Sequence, residues 1–245
     1  MKHTVSHLLA VGGLLSAVSA KIQAEVRYSD KMIDVGNLDV FAQTWQKIYA
    51  ADGNSQSVLT DVTSSTYNGG CNSWADDANL NVKVTINGQW GRVSGLGLHD
   101  SREALVQSIW AALKEVSGEN QWDVFNNCYG TTWQEGVPDW AYHGQSACGG
   151  ASNSVTQDCP CDSGSSACKD HSLGHKVPSL IKANLYDGNG ALLADSLEIT
   201  FESAEVVGSG GCNTLTKVAG ALAGLLPGPG SLFSTGVNVA CLNLA

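Results

Sequence analysis

Residues 80–93, LNVKVTINGQWGRV, carry the pattern that decides the fold. Four apolar residues at the start of this stretch alternate with polar ones: Leu80, Val82, Val84 and Ile86. Such alternation is typical of a strand with one face buried and the other in water. Asn87-Gly88 is a pair preferred in two-residue turns, so the stretch predicts a hairpin with Trp90 and Val93 on its return strand.

An amphipathic helix is predicted after this strand, over Ser101–Ser117. The apolar stripe of the helix consists of Leu105, Val106, Ile109, Trp110, Leu113 and Val116. Asp100 and Glu103 have the spacing of a capping box at its start, and Gly118 suits the left-handed backbone that follows many helices. We expect the stripe to face the sheet that contains the strand at 80–86.

The rest of the chain alternates between strand and helix patterns. The predicted elements are a helix over 38–50 capped by Asn37, strands over 57–67, 122–134, 177–186 and 192–201, and a tail over 213–245 that holds a helix, a Pro-Gly-Pro-Gly turn and a second helix or extended segment. Residues 187–190 have turn chemistry, and residues 136–175 predict a loop. Asp195 interrupts the alternation of the last predicted strand.

This order of elements predicts an α+β fold. Helices on one face of an antiparallel sheet form a two-layer sandwich, and the cysteines predict that disulfides staple it. The length suits one domain over residues 21–245, with residues 21–79 as a candidate N-terminal extension.

The first twenty residues predict export from the cell. Lys2 precedes an apolar run over residues 8–15, and Val18-Ser19-Ala20 offers small residues at a cleavage site. The run is shorter than the roughly 20 residues of a membrane-spanning helix. The net charge of −10 argues against nucleic acid and anionic membrane surfaces as partners.

Eight cysteines predict up to four disulfides in an exported chain: Cys71, Cys128, Cys148, Cys159, Cys161, Cys168, Cys212 and Cys241. Cys159-Pro-Cys161 has one intervening residue, whereas zinc-binding cysteine pairs have two to four, so we expect no metal there. Cys212 and Cys241 bracket the apolar tail. We expect these two to bond each other and to hold the tail against the body.

Aromatic residues are concentrated between 122 and 142, and some of them are candidates for binding. Trp140 and Tyr142 lie in predicted loop and are the surface candidates, with Trp133 at the end of the predicted strand. Exposed aromatic side chains stack on sugars or anchor partner proteins.

Two patterns predict chemistry only weakly. Glu135 and Asp139 flank these aromatic residues, as paired carboxylates do in glycoside hydrolases, but two acids in a loop are common in an acidic chain. His171 and His175 would share one face of a helix and bind a metal there, yet Gly174 and the cysteine-rich context favour a loop. We expect neither a catalytic residue, a metal nor a cofactor.

The leader, the acidic chain, the eight cysteines and the lack of an enzyme motif together resemble small secreted cysteine-rich proteins of filamentous fungi. The order of strands and helices is similar to the two-layer sandwich of fungal killer toxins, which are shorter. The resemblance implies a secreted, non-enzymatic effector or toxin-like virulence factor that binds an extracellular protein or glycan of a host or competitor. The alternatives are an extracellular glycoside hydrolase and a carbohydrate-binding cell-wall protein, and the membrane is not expected as a partner.

Overall fold

The computed structural model describes residues 21–50, 56–68, 78–125, 171–223, 225 and 233–242. Within these ranges the strands are β1 (Ile22–Ser29), β2 (Lys31–Gly36), β3 (Ser57–Thr66), β4 (Leu80–Gln89), β5 (Gln121–Phe125), β6 (His171–Pro178), β7 (Leu180–Tyr186), β8 (Leu192–Ser203), β9 (Val206–Ser209) and β10 (Phe233–Leu242). The α-helices are α1 (Lys47–Ala50), α2 (Leu98–Gly118) and α3 (Leu215–Leu222), and a π-helical turn, Ala42–Gln46, leads into α1. The fold is therefore sheet-rich α+β.

The strands form two sheets. The larger has the order β10-β1-β7-β8-β4-β3, and the smaller has the order β5-β6-β2-β9. Two chain segments run from one sheet into the other, with β1 continuing as β2 past Asp30 and β6 continuing as β7 past Ser179. The hydroxyl groups of Ser29 and Ser179 lie 2.9 Å apart and link these two segments at the junction.

The larger sheet buries one face, as the sequence predicts. Alternate residues of β4, β7 and β8 are buried, and the residues between them are half-buried or exposed. The stripe residues Leu105, Ile109 and Leu113 are buried, and α2 contacts β1, β7 and β8. The expectation that this stripe faces the sheet containing β4 is confirmed.

The predicted hairpin at Asn87-Gly88 is wrong. Strand β4 runs straight through both residues, and Gly88 pairs with Val58 on one side and Leu197 on the other. A Cβ atom added at Gly88 would lie 2.6 Å from Cδ1 of Leu197. The glycine therefore makes room for neighbouring side chains, among them the fully buried Trp90, and does not form a turn.

The predicted helix caps are also wrong. Helix α2 begins after Gly97, which has no side chain to form a capping hydrogen bond. Asp100 lies within the first turn of the helix and not at its cap. At its other end the cap residue Glu119 keeps a right-handed backbone, and Gly118 is the last helical residue. Asn37 does not cap the first helical segment either, because its Oδ1 accepts the N–H of Tyr67.

The sheets differ from the prediction in three further respects. Strand β10 runs parallel to β1, so the larger sheet is mixed and not purely antiparallel. Residues 171–175 belong to β6, within the part of the chain predicted as loop, and Ser179 separates this strand from β7. The tail ends as a strand, which is the extended one of the two predicted alternatives.

The apolar tail is docked on the body. Helix α3 contacts α2 and β10, and its Val218 and Leu222 are fully buried. Cys212 and Cys241 form a disulfide with Cα atoms 5.6 Å apart, which confirms the predicted pairing. None of the helices in the described ranges is long and apolar enough to cross a bilayer.

Candidate functional site

Four aromatic side chains form a continuous strip, which we call the aromatic strip. It consists of Phe41, Trp45 and Tyr49 from the first helical segment and Trp110 from α2. Phe41 is 37% exposed, and the other three are partly buried against the core. The strip thus packs against the core and keeps part of its aromatic surface in contact with solvent.

Spacing along the first helical segment produces the strip. Phe41, Trp45 and Tyr49 follow one another at four-residue intervals, which places them on one face of a helix. Asp39 begins this segment, because its Oδ1 accepts the N–H of Ala42 at 2.8 Å. The π-helical turn Ala42–Gln46 contains Trp45 of the strip, and such turns are frequent at functional sites.

The rings of the strip pack on one another. The Phe41 and Trp45 rings are nearly parallel with centroids 5.8 Å apart, and those of Trp45 and Tyr49 are nearly parallel at 5.3 Å. Trp110 meets Phe41 and Trp45 edge-on at 5.0 and 6.1 Å. Offset stacking of this kind covers part of each ring's face.

Charged side chains border the strip at its Tyr49 end. The guanidinium carbon of Arg102 lies 4.7 Å from the centre of the Tyr49 ring, a cation–π contact. The Tyr49 hydroxyl donates a hydrogen bond to Glu103, and Glu103 also accepts one from Gln107. Burial, followed by this bond to Glu103, raises the pKa of Tyr49, so its hydroxyl stays protonated and remains a donor.

Arg102 is an unusual member of this border. Its side chain is only 8% exposed, and its Nε and Nη1 atoms are buried without a hydrogen-bond partner. Nη2 lies 3.4 Å from Nδ1 of His99 and 4.0 Å from a carboxylate oxygen of Glu103. Each unsatisfied buried donor costs about 1–3 kcal/mol, so Arg102 holds hydrogen-bonding capacity that the described residues leave unused.

The binding and catalytic candidates from the sequence lie outside the described residues. They are Trp133, Trp140, Tyr142, Glu135 and Asp139, and the same holds for six of the cysteines, Cys71, Cys128, Cys148, Cys159, Cys161 and Cys168. These assignments stay predictions.

The structure separates His171 and His175. Both lie in β6, and four residues of a strand span roughly 13 Å, which is too far for one metal ion to bind both. His175 is half-buried beside the end of α2, with its Nδ1 buried and unpaired. Burial lowers the pKa of His175, and a hydrogen bond to the backbone of Ser117 opposes this in part.

We expect His175 to make the stability of the protein depend on pH. Its folded pKa is below the unfolded value near 6.5, so the unfolded chain binds the proton first as pH falls. The free energy of unfolding should therefore decrease from pH 6.5 down to the folded pKa, by at most about 1.4 kcal/mol per pH unit. Denaturant titrations over a range of pH measure this dependence in the wild type and in His175→Gln, which keeps a side-chain N–H. The slope of the free energy of unfolding against pH should differ between the two only in this window. Equal pH profiles would contradict the assignment.

The described residues contain one group of side chains with metal-ligand spacing, Asp30, Cys212 and Cys241. Both sulfur atoms belong to the disulfide and are not thiolates. The Asp30 carboxylate accepts the backbone N–H groups of Gly210 and Cys212. This group therefore joins the tail to the β1–β2 junction through the disulfide and Oδ1 of Asp30.

The aromatic strip is not predicted from the sequence. The pattern of residues 38–50 places Leu38, Phe41, Trp45, Ile48 and Tyr49 on one helical face, which is the pattern of a core-facing helix. Ile48 and Thr44 of this segment are buried, while the aromatic residues lie along the rim. Three aromatic residues at strict four-residue spacing were the available signal.

Comparison with protein-family models, with curated proteins and with solved structures finds no match for this chain.

Proposed function

We propose that this protein is a secreted, non-enzymatic binding protein, effector-like or toxin-like, which holds a protein of a host or competitor through the aromatic strip. The stacked rings of Phe41, Trp45 and Tyr49 are the observation that carries the proposal. Trp, Tyr and Arg dominate the binding energy of protein interfaces, and all three residue types occur together here.

The character of the strip favours a protein target over a glycan. Sugars stack on open aromatic faces, and the rings of the strip partly cover one another's faces. The charged border of His99, Arg102 and Glu103 supplies the polar rim that surrounds the apolar centre of many interfaces. Within this border His99, at 70% side-chain exposure, and Glu103, at 26%, are the groups that a target can reach.

Export is part of the proposal. The leader in residues 1–20 and the even number of cysteines support it, and the Cys212–Cys241 bond fits an oxidising compartment. We propose that the other six cysteines also form disulfides. The resemblance to secreted cysteine-rich fungal proteins supports the same assignment.

We also propose that the larger sheet and its helices form two layers. The burial of alternate strand residues and the contacts of α2 with β1, β7 and β8 support a helical layer on one face. The opposite face then remains open to solvent.

Capture of the target through the strip tests the proposed function. A photoreactive phenylalanine analogue at Phe41 should crosslink one protein from host or competitor surface extracts. The same analogue at Leu192, which is 63% exposed and lies outside the strip, should not. We then expect Trp45→Ala to weaken binding of the captured, purified protein about 30-fold or more, which corresponds to a hot-spot residue worth about 2 kcal/mol. Leu192→Ala should leave the Kd unchanged.

Thermal unfolding of both variants controls for misfolding, because Trp45 also packs against the core. Equal crosslinking from Phe41 and Leu192 would overturn the proposal. Release of reducing sugar from cell-wall glycans by the purified protein would instead favour the glycoside hydrolase alternative, with Glu135 and Asp139 as the residues to replace first.

A further inference from the structure

A polar cleft lies on the open face of the larger sheet, away from the aromatic strip. It has a volume of about 250 Å³ and crosses strands β4, β7 and β8. Six polar side chains line it: Asn87, Gln89, Lys182, Asn184, Ser196 and Glu198. They belong to the outward-facing positions of three adjacent strands, so the sheet itself fixes their spacing.

These side chains hold unused hydrogen-bonding capacity. In the described part of the chain, no hydrogen bond or ion pair engages the side chains of Asn87, Lys182 or Asn184. Gln89 is held at the rim, because its Nε2 donates to the carbonyl oxygen of Ala194 at 2.6 Å. Amides and hydroxyls both donate and accept, and here they converge on one depression.

The charges of the cleft balance. Lys182 of β7 and Glu198 of β8 are direct cross-strand partners, yet no ion pair joins them. On the neighbouring strand β1, Arg27 already binds Glu25, with Nε and Oε1 2.7 Å apart, and this bond lowers the pKa of Glu25. Arg27 also contacts the Tyr186 hydroxyl, so this network is satisfied and adds no net charge. A ligand that matches the cleft is neutral and rich in groups that donate and accept.

We propose that this cleft binds a sugar unit of a neutral glycan. Sugar hydroxyls can accept hydrogen bonds from Lys182, donate them to the carboxylate of Glu198, and do both with the side-chain amides. The volume of about 250 Å³ lies just under the roughly 300–1,000 Å³ of small-molecule sites, so the cleft suits a single unit of a longer glycan. This site is separate from the aromatic strip, and the protein would hold a glycan on its sheet face and a protein through its strip.

Calorimetry with defined oligosaccharides tests the site. The probes are the neutral tetrasaccharides of β-1,3-glucan, chitin and α-mannan, with tetragalacturonate and glycine as charged and zwitterionic comparisons. We expect binding of at least one neutral tetrasaccharide and of neither comparison ligand. Asn184→Ala should lower the affinity at least tenfold without changing the thermal midpoint.

A matched control lies on the same face. Asn238 of β10 is exposed and lies in the same cross-strand row as Asn184, two strands away and outside the cleft. Asn238→Ala and Phe41→Ala should both bind the tetrasaccharide within twofold of the wild type. Absence of neutral-glycan binding, binding of the comparison ligands alone, or equal losses in Asn184→Ala and Asn238→Ala would overturn the site. Loss in Phe41→Ala would move glycan binding to the strip and overturn it as well.

Discussion

Replacing Asp195 by alanine is expected to lower the free energy of unfolding by about 3–6 kcal/mol. The carboxylate is fully buried and accepts the N–H groups of Gly91 and Arg92, each at 2.8 Å. It also accepts the hydroxyl of Ser101 in the first turn of α2. Alanine would leave the buried Ser101 hydroxyl and the part-buried N–H groups of Gly91 and Arg92 without their acceptor, at about 1–3 kcal/mol each.

Denaturant titration of Asp195→Ala and Glu202→Ala measures this effect. Glu202 lies on the same strand, but its side chain is exposed, so its removal should cost less than about 0.5 kcal/mol. Asp195→Asn should fall between the two, because it keeps one acceptor and places an N–H₂ group against a donor. A loss below about 1 kcal/mol in Asp195→Ala would show that the loop after β4 and the start of α2 are held by other contacts.

Asp195 also shows how far the sequence predicts this fold. The alternation of β8 places residue 195 on the inner face, and an acid there conflicts with an apolar core. The conflict was visible in the sequence, but its solution depends on residues about 100 positions away. Strand alternation and the helix stripe are local and were predicted correctly, whereas the partner of a buried polar group is set by tertiary contacts.

Gly88 shows why a strong local preference can predict the wrong structure. Asn-Gly is a strong local preference for a turn, yet here both residues lie inside a ten-residue strand. The side chains of Leu197 and Trp90 occupy the space above Gly88, so packing requires a residue without a Cβ. A sequence pattern cannot separate a glycine needed for its backbone freedom from one needed for its small size.

The candidate sites were predictable only in part. Helical periodicity placed Phe41, Trp45 and Tyr49 together, but the degree of exposure depends on how the segment tilts against α2. The polar cleft joins residues from β4, β7 and β8, whose order in the sheet could not be inferred from the sequence. Both sites therefore depend on topology more than on any local motif.

Removal of the Cys212–Cys241 bond is expected to lower the free energy of unfolding by about 3–4 kcal/mol. The bond closes a loop across a sequence separation of 29, and the loop-closure estimate for that length falls in this range. The double variant Cys212→Ser/Cys241→Ser is the suitable test, because a single substitution would leave a reactive thiol. Denaturant titration without reductant measures the difference from the wild type.

The folded tail should stay in place in that double variant, because other contacts also hold it. Strand β10 pairs with β1 from Ile22–Phe233 to Ser29–Leu242, and the buried Val218 and Leu222 anchor α3. The disulfide then acts mainly on the unfolded chain, so binding through the aromatic strip should not change. Vesicles filled with dye should remain intact with the wild type and with the double variant. Leakage from the variant alone would mean that the bond itself holds the apolar tail on the body, and a stability loss below about 1 kcal/mol would contradict the loop-closure account.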